Sequence, residues 1–593
     1  MSIQQKAAKP YADMRTPFTV DERGAFAEYI IADPQSMPDL ALGATVLIED
    51  KRNDETFWIA GRIVGLRAVS PFSPDRENLL YIEDEESDPT AVLEEVSGPH
   101  NHQPMIIRVA LEQEIIKSSS DEERTFLSHP VQRPPSSRSK LYFPAIIPRS
   151  DNDAPSLQEI LNIKSRGIAL GNVGFGNTPY KSNGRFLTYR WDVDNLDNKH
   201  IFIVGESGSG KTVFLKNLAY ELRKHNNSFR VILTDVQGDI VQLLLSDIVP
   251  ILEPKGWQKE VNREDPSEAI KYLEPLQLIV PARPEGHSQN VQALIKLTRN
   301  RGVVVREVGL RLQDLSMPSD VEYLYRVSST QVGLLLDEEA EYLRANDKKV
   351  TIANLRDRLN NILNRNNGSQ VPSDGGTLYY RSTFYAAFRA LKSLESYFDY
   401  HQGSLQSEDN PLDYFNFDGT TILFLDELDQ DERIMWEMQL VSWLYKHKKD
   451  SWKAFVFFDE AHQIIPAKPV GIGAIATFER LRVNFERLAR EGRKFGINLV
   501  LSTQDPQDLH PIVPEQCPTK IVMKINPRNA KHVFLDNDLA MIASRFGAGQ
   551  FWIQSPFNGT PDWVRVHSWA PPLPHEPMTQ FWNKVVAKAR EER

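Results

Sequence analysis

Between the apolar run Ile201-Phe-Ile-Val204 and a stretch of helical spacing from Val213 to Lys224 stands the loop Gly205-Glu206-Ser207-Gly208-Ser209-Gly210-Lys211-Thr212. A strand that runs through such a loop into a helix is the context in which the pattern G-x-x-x-x-G-K-[ST] cradles phosphates. The glycines let backbone N–H groups curl around the oxyanions without Cβ clashes. The helix N-terminus adds the positive end of its dipole. Lys211 is placed to reach the β- and γ-phosphates, and the Thr212 hydroxyl to bind Mg²⁺. ATP and Mg²⁺ are therefore the expected ligands, with Gly205 to Thr212 as the nucleotide loop. A second strand run, Val231-Ile-Leu-Thr-Asp235, follows the helix, and this alternation predicts a parallel α/β sheet.

Hydrolysis at such a loop needs a carboxylate at a strand end to hold Mg²⁺, and usually a neighbour to activate water. Two runs offer the pair: Thr421-Ile-Leu-Phe-Leu-Asp426-Glu427 and Phe455-Val-Phe-Phe-Asp459-Glu460-Ala-His462. The residues after the second run favour it. A helix from about Thr477 to Lys494 leads to the strand run Asn498-Leu-Val-Leu-Ser-Thr-Gln504. In a RecA-like sheet the strand bearing the acidic pair and the next strand are expected to flank the phosphate-loop strand. The next strand should end in a polar sensor, and Gln504 stands there. Asp459 is the expected Mg²⁺ carboxylate, partly through water, and Glu460 the expected general base. Asp426 and Glu427 are read as the end of an additional strand.

A chain of 593 residues suggests about three structural units. Before the phosphate loop, the runs Phe26 to Ile31, Ala44 to Ile48, Phe57 to Val64 and Pro104 to Leu111 are rich in β-branched and aromatic residues. Short strands separated by turn residues suggest a small sandwich or barrel. The Pro/Ser/Arg stretch from Val131 to Ser139 reads as a loop or linker. From Ser288 to about Gly403 the pattern is mostly helical, and from Thr420 to about Val566 it returns to α/β. After Pro571, Pro572, Pro574 and Pro577 comes a short helix from Thr579 to Arg593.

A net charge of -11 excludes a uniformly basic nucleic-acid-binding particle, so phosphate contacts would need local basic patches. One cysteine, Cys517, excludes an internal disulfide framework and a Cys-rich zinc site. It also fits a reducing cytosol. The polar N-terminus lacks the apolar core of a secretory signal, and no run of about 18 apolar residues occurs. A soluble, cytoplasmic protein with no membrane contact is expected. His100 and His102 lie in a turn with no metal-ligand pattern around them and are read as solvated. Arg299, Arg301, Arg306 and Arg311 could face a channel, or form a solvated surface.

The block Arg490-Glu-Gly-Arg493-Lys-Phe-Gly-Ile-Asn-Leu-Val-Leu-Ser-Thr-Gln504-Asp-Pro-Gln-Asp-Leu-His-Pro511, placed after Phe457-Phe-Asp-Glu-Ala-His462, resembles HerA-like hexameric ATPases of the HerA/FtsK group. The resemblance covers the region from about Lys199 to Val566. It implies a RecA-like P-loop core with an N-terminal β-barrel and an inserted helical bundle. The implied boundaries are a barrel over 1–150, core segments over 151–282 and 416–570, an insertion over 283–415, and a tail or brace helix over 571–593. The tail could brace a neighbouring subunit or pack on its own core. Family members form six-membered rings, hydrolyse ATP between subunits and translocate on double-stranded DNA, commonly with a nuclease partner. Some such rings stand beside antiviral-defence effectors, nucleases or NAD-consuming enzymes, where assembling the effector could be the ring's main task. A trans-acting arginine is implied, with Arg490 and Arg493 as candidates and Arg487 as a weaker third. Their other reading is a solvated basic face paired with Glu486 and Glu491. His462 would couple the ATP site to neighbouring elements. Two departures stand out. Lys199 occupies a place where the family often has arginine, and the turn Asp235-Val-Gln-Gly-Asp239 either lines the nucleotide site or caps the next helix.

Overall fold

The computed structural model describes residues 9–10, 18–21, 24–31, 42–52, 55–68, 105–117, 126–131, 134–136, 139–142, 156–175, 178–182, 185–195, 200–283, 286–315, 317–325, 330–399, 414–446, 453–468 and 474–592. His100, His102 and Lys199 lie outside them. Two units separate by packing: residues 1–192 with 535–568, and residues 193–534 with 569–593. This differs from the expected boundaries, because 535–568 joins the N-terminal residues rather than the core.

The second unit holds the phosphate loop. Its apolar runs form the strands Ile201–Val204 (β1), Arg230–Asp235 (β2), Leu276–Pro281 (β3), Val304–Val308 (β4), Thr420–Phe424 (β5), Ala454–Phe458 (β6), Ile497–Thr503 (β7) and Thr519–Val522 (β8). They pair in parallel in the order β8-β1-β7-β6-β2-β5-β3-β4. Strands β1, β5, β6 and β7 are buried at every position, which explains why they read as unbroken apolar runs rather than as alternating ones.

Two expectations change here. The strand bearing Asp459, β6, does not touch β1; β7 lies between them, and β1 is flanked by β7 and β8. The helix Ala474–Glu491 carries the chain from β6 to the adjacent position, and that position is already next to β1. The second change concerns the helical stretch after Ser288. It holds a helix, Gln289–Asn300, but then the strand β4, which extends the parallel sheet at its edge. The edge leaves β4 half exposed, so its Arg306 and Glu307 broke the apolar signal.

Beyond β4, the helices Thr330–Ala345, Ile352–Arg365 and Arg381–Leu394 pack on one another. An antiparallel hairpin, Gln370–Pro372 with Leu378–Tyr380, lies between the last two in sequence. The helix Met578–Glu591 packs on Gln289–Asn300 of its own chain. Phe581 is buried, Trp582 meets Phe424 edge-on, and Lys296 Nζ donates to the Ala589 carbonyl at 2.9 Å. The tail helix thus packs on its own core. Among the described residues no helix is long and apolar enough to cross a membrane.

In the first unit, Gly24–Ile31, Met105–Lys117, Glu55–Ala68, Thr45–Arg52 and Lys140–Tyr142 succeed one another in an antiparallel sheet. The long strand Glu55–Ala68 is bulged at Ala60/Gly61, where a Cβ on Gly61 would stand 2.6 Å from Val109 Cγ1. Leu47, Trp58, Ala60, Ile115, Tyr142 and Ile160 form a core beneath the sheet. In the Pro/Ser/Arg stretch the Ser136 amide donates to Asp50 at 3.0 Å, and Ser139 Oγ lies 3.0 Å from Tyr29 Oη. A second antiparallel set comprises Ile168–Phe175, Thr188–Trp191, Gln550–Ser555 and Thr560–His567.

Candidate nucleotide site

The phosphate loop leaves β1 at Gly205 and enters the helix Lys211–His225. Gly208 and Gly210 adopt φ of 77° and 96°, a region that costs L-residues strain and glycine none. A Cβ on Gly205 would press against Ser209 Oγ and Met523 Cβ, within 2.8 Å of each. Gly210 is the N-cap and provides no side-chain cap, so the helix's first amides are left to a ligand. Thr212 is half-buried in the first turn. Lys211 is buried and folds back on the loop, with Nζ donating to the Gly205 carbonyl at 2.6 Å. Burial pulls its ammonium below the usual lysine range, and the charges of Glu460 and Asp459 oppose that pull. The open cradle, the oriented helix amides and the lysine fit a phosphate chain.

Asp459 and Glu460 come directly after β6 and are both buried. Ser502 Oγ, from β7, donates to Asp459 Oδ1, and the Asp459 amide donates to Thr234 Oγ1 of β2 at 3.2 Å. Burial, then the charge of Glu460, pushes the Asp459 carboxyl up to about 6, against Ser502 and Lys211. Glu437, on the helix Gln430–Lys446, is a second buried carboxyl facing Asp459, held well above the carboxylate range by burial and by that charge. Such a pocket is short of positive charge, which suits a divalent cation beside Asp459.

Glu460 stands at φ 54°, ψ 48°, a left-handed conformation rare outside glycine. Its carboxylate is held from several sides. Gln504 Nε2 donates to Oε1 at 2.5 Å and Gln237 Nε2 to the same oxygen at 3.2 Å. His462 Nδ1 lies 3.4 Å from Oε2 and 3.2 Å from Thr503 Oγ1. The structure therefore brings together Lys211, Asp459, Glu460, Gln504 and His462. It adds Gln237, Ser502, Thr234 and Glu437, which sequence reasoning missed. A signal existed for some of them, since polar residues inside buried apolar runs demand a partner.

Asp426 and Glu427 lie beyond β5, on the far side of β2. Burial raises Asp426, and the charges acting on it come from Arg433, Glu427 and Asp239, not from Lys211. Asp235 resolves as a cap: its Oδ2 accepts the Val241 amide at 2.7 Å, in the turn Ile240–Leu244. Burial pushes the Asp235 carboxyl up to about 7, against hydrogen bonds from Val241 and Ile240. A carboxyl raised on folding contributes stability that is present below its ordinary range and lost as pH rises through about 7. The Asp235→Asn variant cannot ionise. Its thermal midpoint, measured from pH 5 to 8, is expected to gain on wild type as pH rises; a constant gap would show that Asp235 is not protonated in that window.

The helix Ala474–Glu491 buries Phe478, Leu481, Phe485 and Leu488 on one face, with Phe485 edge-on to Phe458 of β6. Arg487 and Arg490 lie on the other face and are exposed; Arg490 pairs with Glu486 at 2.5 Å. Among the described residues no hydrogen bond or ion pair joins either to Lys211, Asp459 or Glu460. The Arg493 side chain lies outside the described residues. The other basic cluster is occupied: Arg299 pairs with Glu307, Arg301 with Asp247 and Glu592, and Arg311 with Asp314, while Arg306 donates to Gln277.

Residues 175–434 match the family model for the central domain of the helicase HerA. That match ends before Asp459, so the acidic pair rests on geometry. The chain is 28% identical over 196 residues to a probable helicase of Methanocaldococcus jannaschii, covering 30% of this chain and 36% of that protein. It is 32% identical over 114 residues to the same organism's probable DNA double-strand break repair helicase HerA, covering 18% of this chain and 21% of that one. The chain thus spans about a third or less of the length of these relatives. A solved structure, VirB4 of Thermoanaerobacter pseudethanolicus, aligns with a TM-score of 0.41 at 13% identity, over 69% of this chain and 98% of that one.

Proposed function

We propose that this chain is a HerA-like ATPase that translocates double-stranded DNA, acting as a hexameric ring with a nuclease or antiviral-defence effector as partner. One observation carries the reading. The structure gathers Lys211, Asp459, Glu460 and Gln504, while among the described residues the exposed Arg487 and Arg490 of the helix Ala474–Glu491 make no hydrogen bond or ion pair with them. Arginines that face away from their own subunit's site fit hydrolysis at a subunit boundary. ATP binds on Gly205 to Thr212, and Mg²⁺ on Thr212 and Asp459. Glu460 polarises the attacking water, Gln504 senses the γ-phosphate, and Arg490 or Arg493 acts on the neighbour. The N-terminal β-rich unit, a barrel on this reading, docks the partner. The helices between Thr330 and Leu394 decorate one face of the ring in the cytoplasm.

The alternative, a scaffold ring that controls its effector with little motor activity, is favoured by one finding. The arginines that could have faced a duplex are already paired with carboxylates or an amide. ATP hydrolysis and mass in solution, with and without duplex DNA, separate the two. The motor reading expects a ring of about six subunits whose hydrolysis rises with duplex DNA, the stimulation falling steeply with salt because phosphate contacts release counterions. A ring that hydrolyses ATP with no response to DNA at low salt would sink the motor and leave the scaffold. A monomer without activity would remove the trans arginine as well.

A further inference from the structure

His200 stands immediately before β1, buried, with φ of 72°. Its two ring nitrogens hold two other elements. Nε2 lies 2.7 Å from the Ala489 carbonyl, and Nδ1 lies 2.9 Å from the Leu499 amide of β7. A carbonyl only accepts and an amide N–H only donates, so the proton sits on Nε2 and Nδ1 is bare. The backbone carbonyl of His200 also accepts from Thr519 of β8, at 3.4 Å.

Ala489 lies in the last turn of the helix Ala474–Glu491, between Arg487 and Arg490. The helix runs on here into the tighter turn Gly492–Phe495. The imidazole adds a hydrogen bond to a carbonyl of its last turn, and it does so from the residue immediately before the strand leading to the phosphate loop. The helix's apolar face allows sliding and rolling, because burial is not directional. A hydrogen bond to one carbonyl of the arginine-bearing turn is directional and sets its place along the axis.

We infer that His200 is a positioning residue for hydrolysis in trans: it registers the turn bearing Arg487 and Arg490 against the strand that carries the same subunit's phosphate loop. Each subunit then presents its arginine to its neighbour in a fixed relation to its own nucleotide site. The inference rests on the ring reading above.

Subunit mixing tests it. Lys211→Ala subunits lack their own hydrolysis but still present an arginine. Mixed equally with wild type, Lys211→Ala/His200→Ala subunits are expected to cut ATPase per wild-type site by about half relative to Lys211→Ala alone, since half the wild-type sites then face a misplaced arginine. A Lys211→Ala subunit that also carries Arg487→Ala, Arg490→Ala and Arg493→Ala sets the full effect. The His200→Ala single variant should bind a fluorescent ADP as wild type does, because the phosphate loop is untouched. If its subunits fail to enter rings by mass, His200→Phe, which keeps a ring in place and removes both hydrogen bonds, replaces it and is expected to depress neighbours in the same way. Arginine-free subunits that depress their neighbours while the His200 variants do not would overturn the role of His200 and leave the ring reading intact. No depression by the arginine-free subunits would overturn the trans reading and this inference with it.

Discussion

Replacing Glu460 by glutamine is expected to slow ATP hydrolysis by about 10²–10⁴-fold while nucleotide binding survives. The substitution keeps the size and much of the hydrogen bonding of the side chain but removes the charge that polarises water. The surroundings are built for a carboxylate. Gln504 and Gln237 both donate to one oxygen, and the backbone is held in a left-handed turn that places the side chain beside Lys211 and Asp459. In the variant one of the two donating amides meets a group that can turn its own N–H toward them, so the network loosens as well. Single-turnover phosphate release, paired with binding of a fluorescent nucleotide, separates chemistry from affinity. A variant that hydrolyses at the wild-type rate would move the base elsewhere, with Glu427 of the other acidic run as the first residue to test.

Replacing Lys211 by alanine should remove hydrolysis and weaken nucleotide binding together. Lys211 Nζ is buried among the Gly205 and Glu206 carbonyls, and its charge offsets those of Asp459 and Glu460. A hydrogen bond to a charged group contributes about 1.5–3 kcal/mol, so the loss of one such phosphate contact predicts roughly ten- to hundredfold weaker nucleotide binding. Without the ammonium, the two buried carboxylates also repel each other with less compensation, and Asp459, already pushed up to about 6, should hold its proton more tightly. Titration of the variant with nucleotide and Mg²⁺ at pH 6 and pH 8 reads both effects: affinity down at both values, and further down at pH 6. Unchanged affinity would mean that the helix amides carry the phosphates without the lysine.

The two predictions differ in kind, and the difference reflects how each residue could be found. Lys211 belongs to a local pattern. Strand, loop and helix are consecutive in the chain, so their chemistry is written in consecutive residues. Glu460 belongs to a pair that occurs twice in the chain, and choosing between Asp426-Glu427 and Asp459-Glu460 needs the neighbouring strand as a second cue. The structure sets Asp459 and Glu460 beside Lys211 and Asp426 and Glu427 beyond β5, and the strand order behind the choice differs in one respect: β6 does not border β1. The acidic pair reaches the phosphate loop across β7, which contributes Ser502 to Asp459 and leads to Gln504 on Glu460.

By itself, then, the sequence determined the phosphate loop, the parallel α/β character of the core, the two acidic strand ends and the basic face of the helix Ala474–Glu491. Each depends on spacing within one element or between adjacent elements, and short-range spacing survives any arrangement of the rest. Only the tertiary structure decided the strand order, the membership of β4 in the sheet and the packing of the last helix on its own chain. It alone brought Gln237, Thr234, Ser502 and Glu437 to the acidic pair, and set His200 between Ala489 and Leu499. These residues lie far apart in the chain, and their meeting depends on which strands the crossover helices make neighbours. A buried polar side chain announces in the sequence that it needs a partner; which partner it finds is a property of the folded sheet.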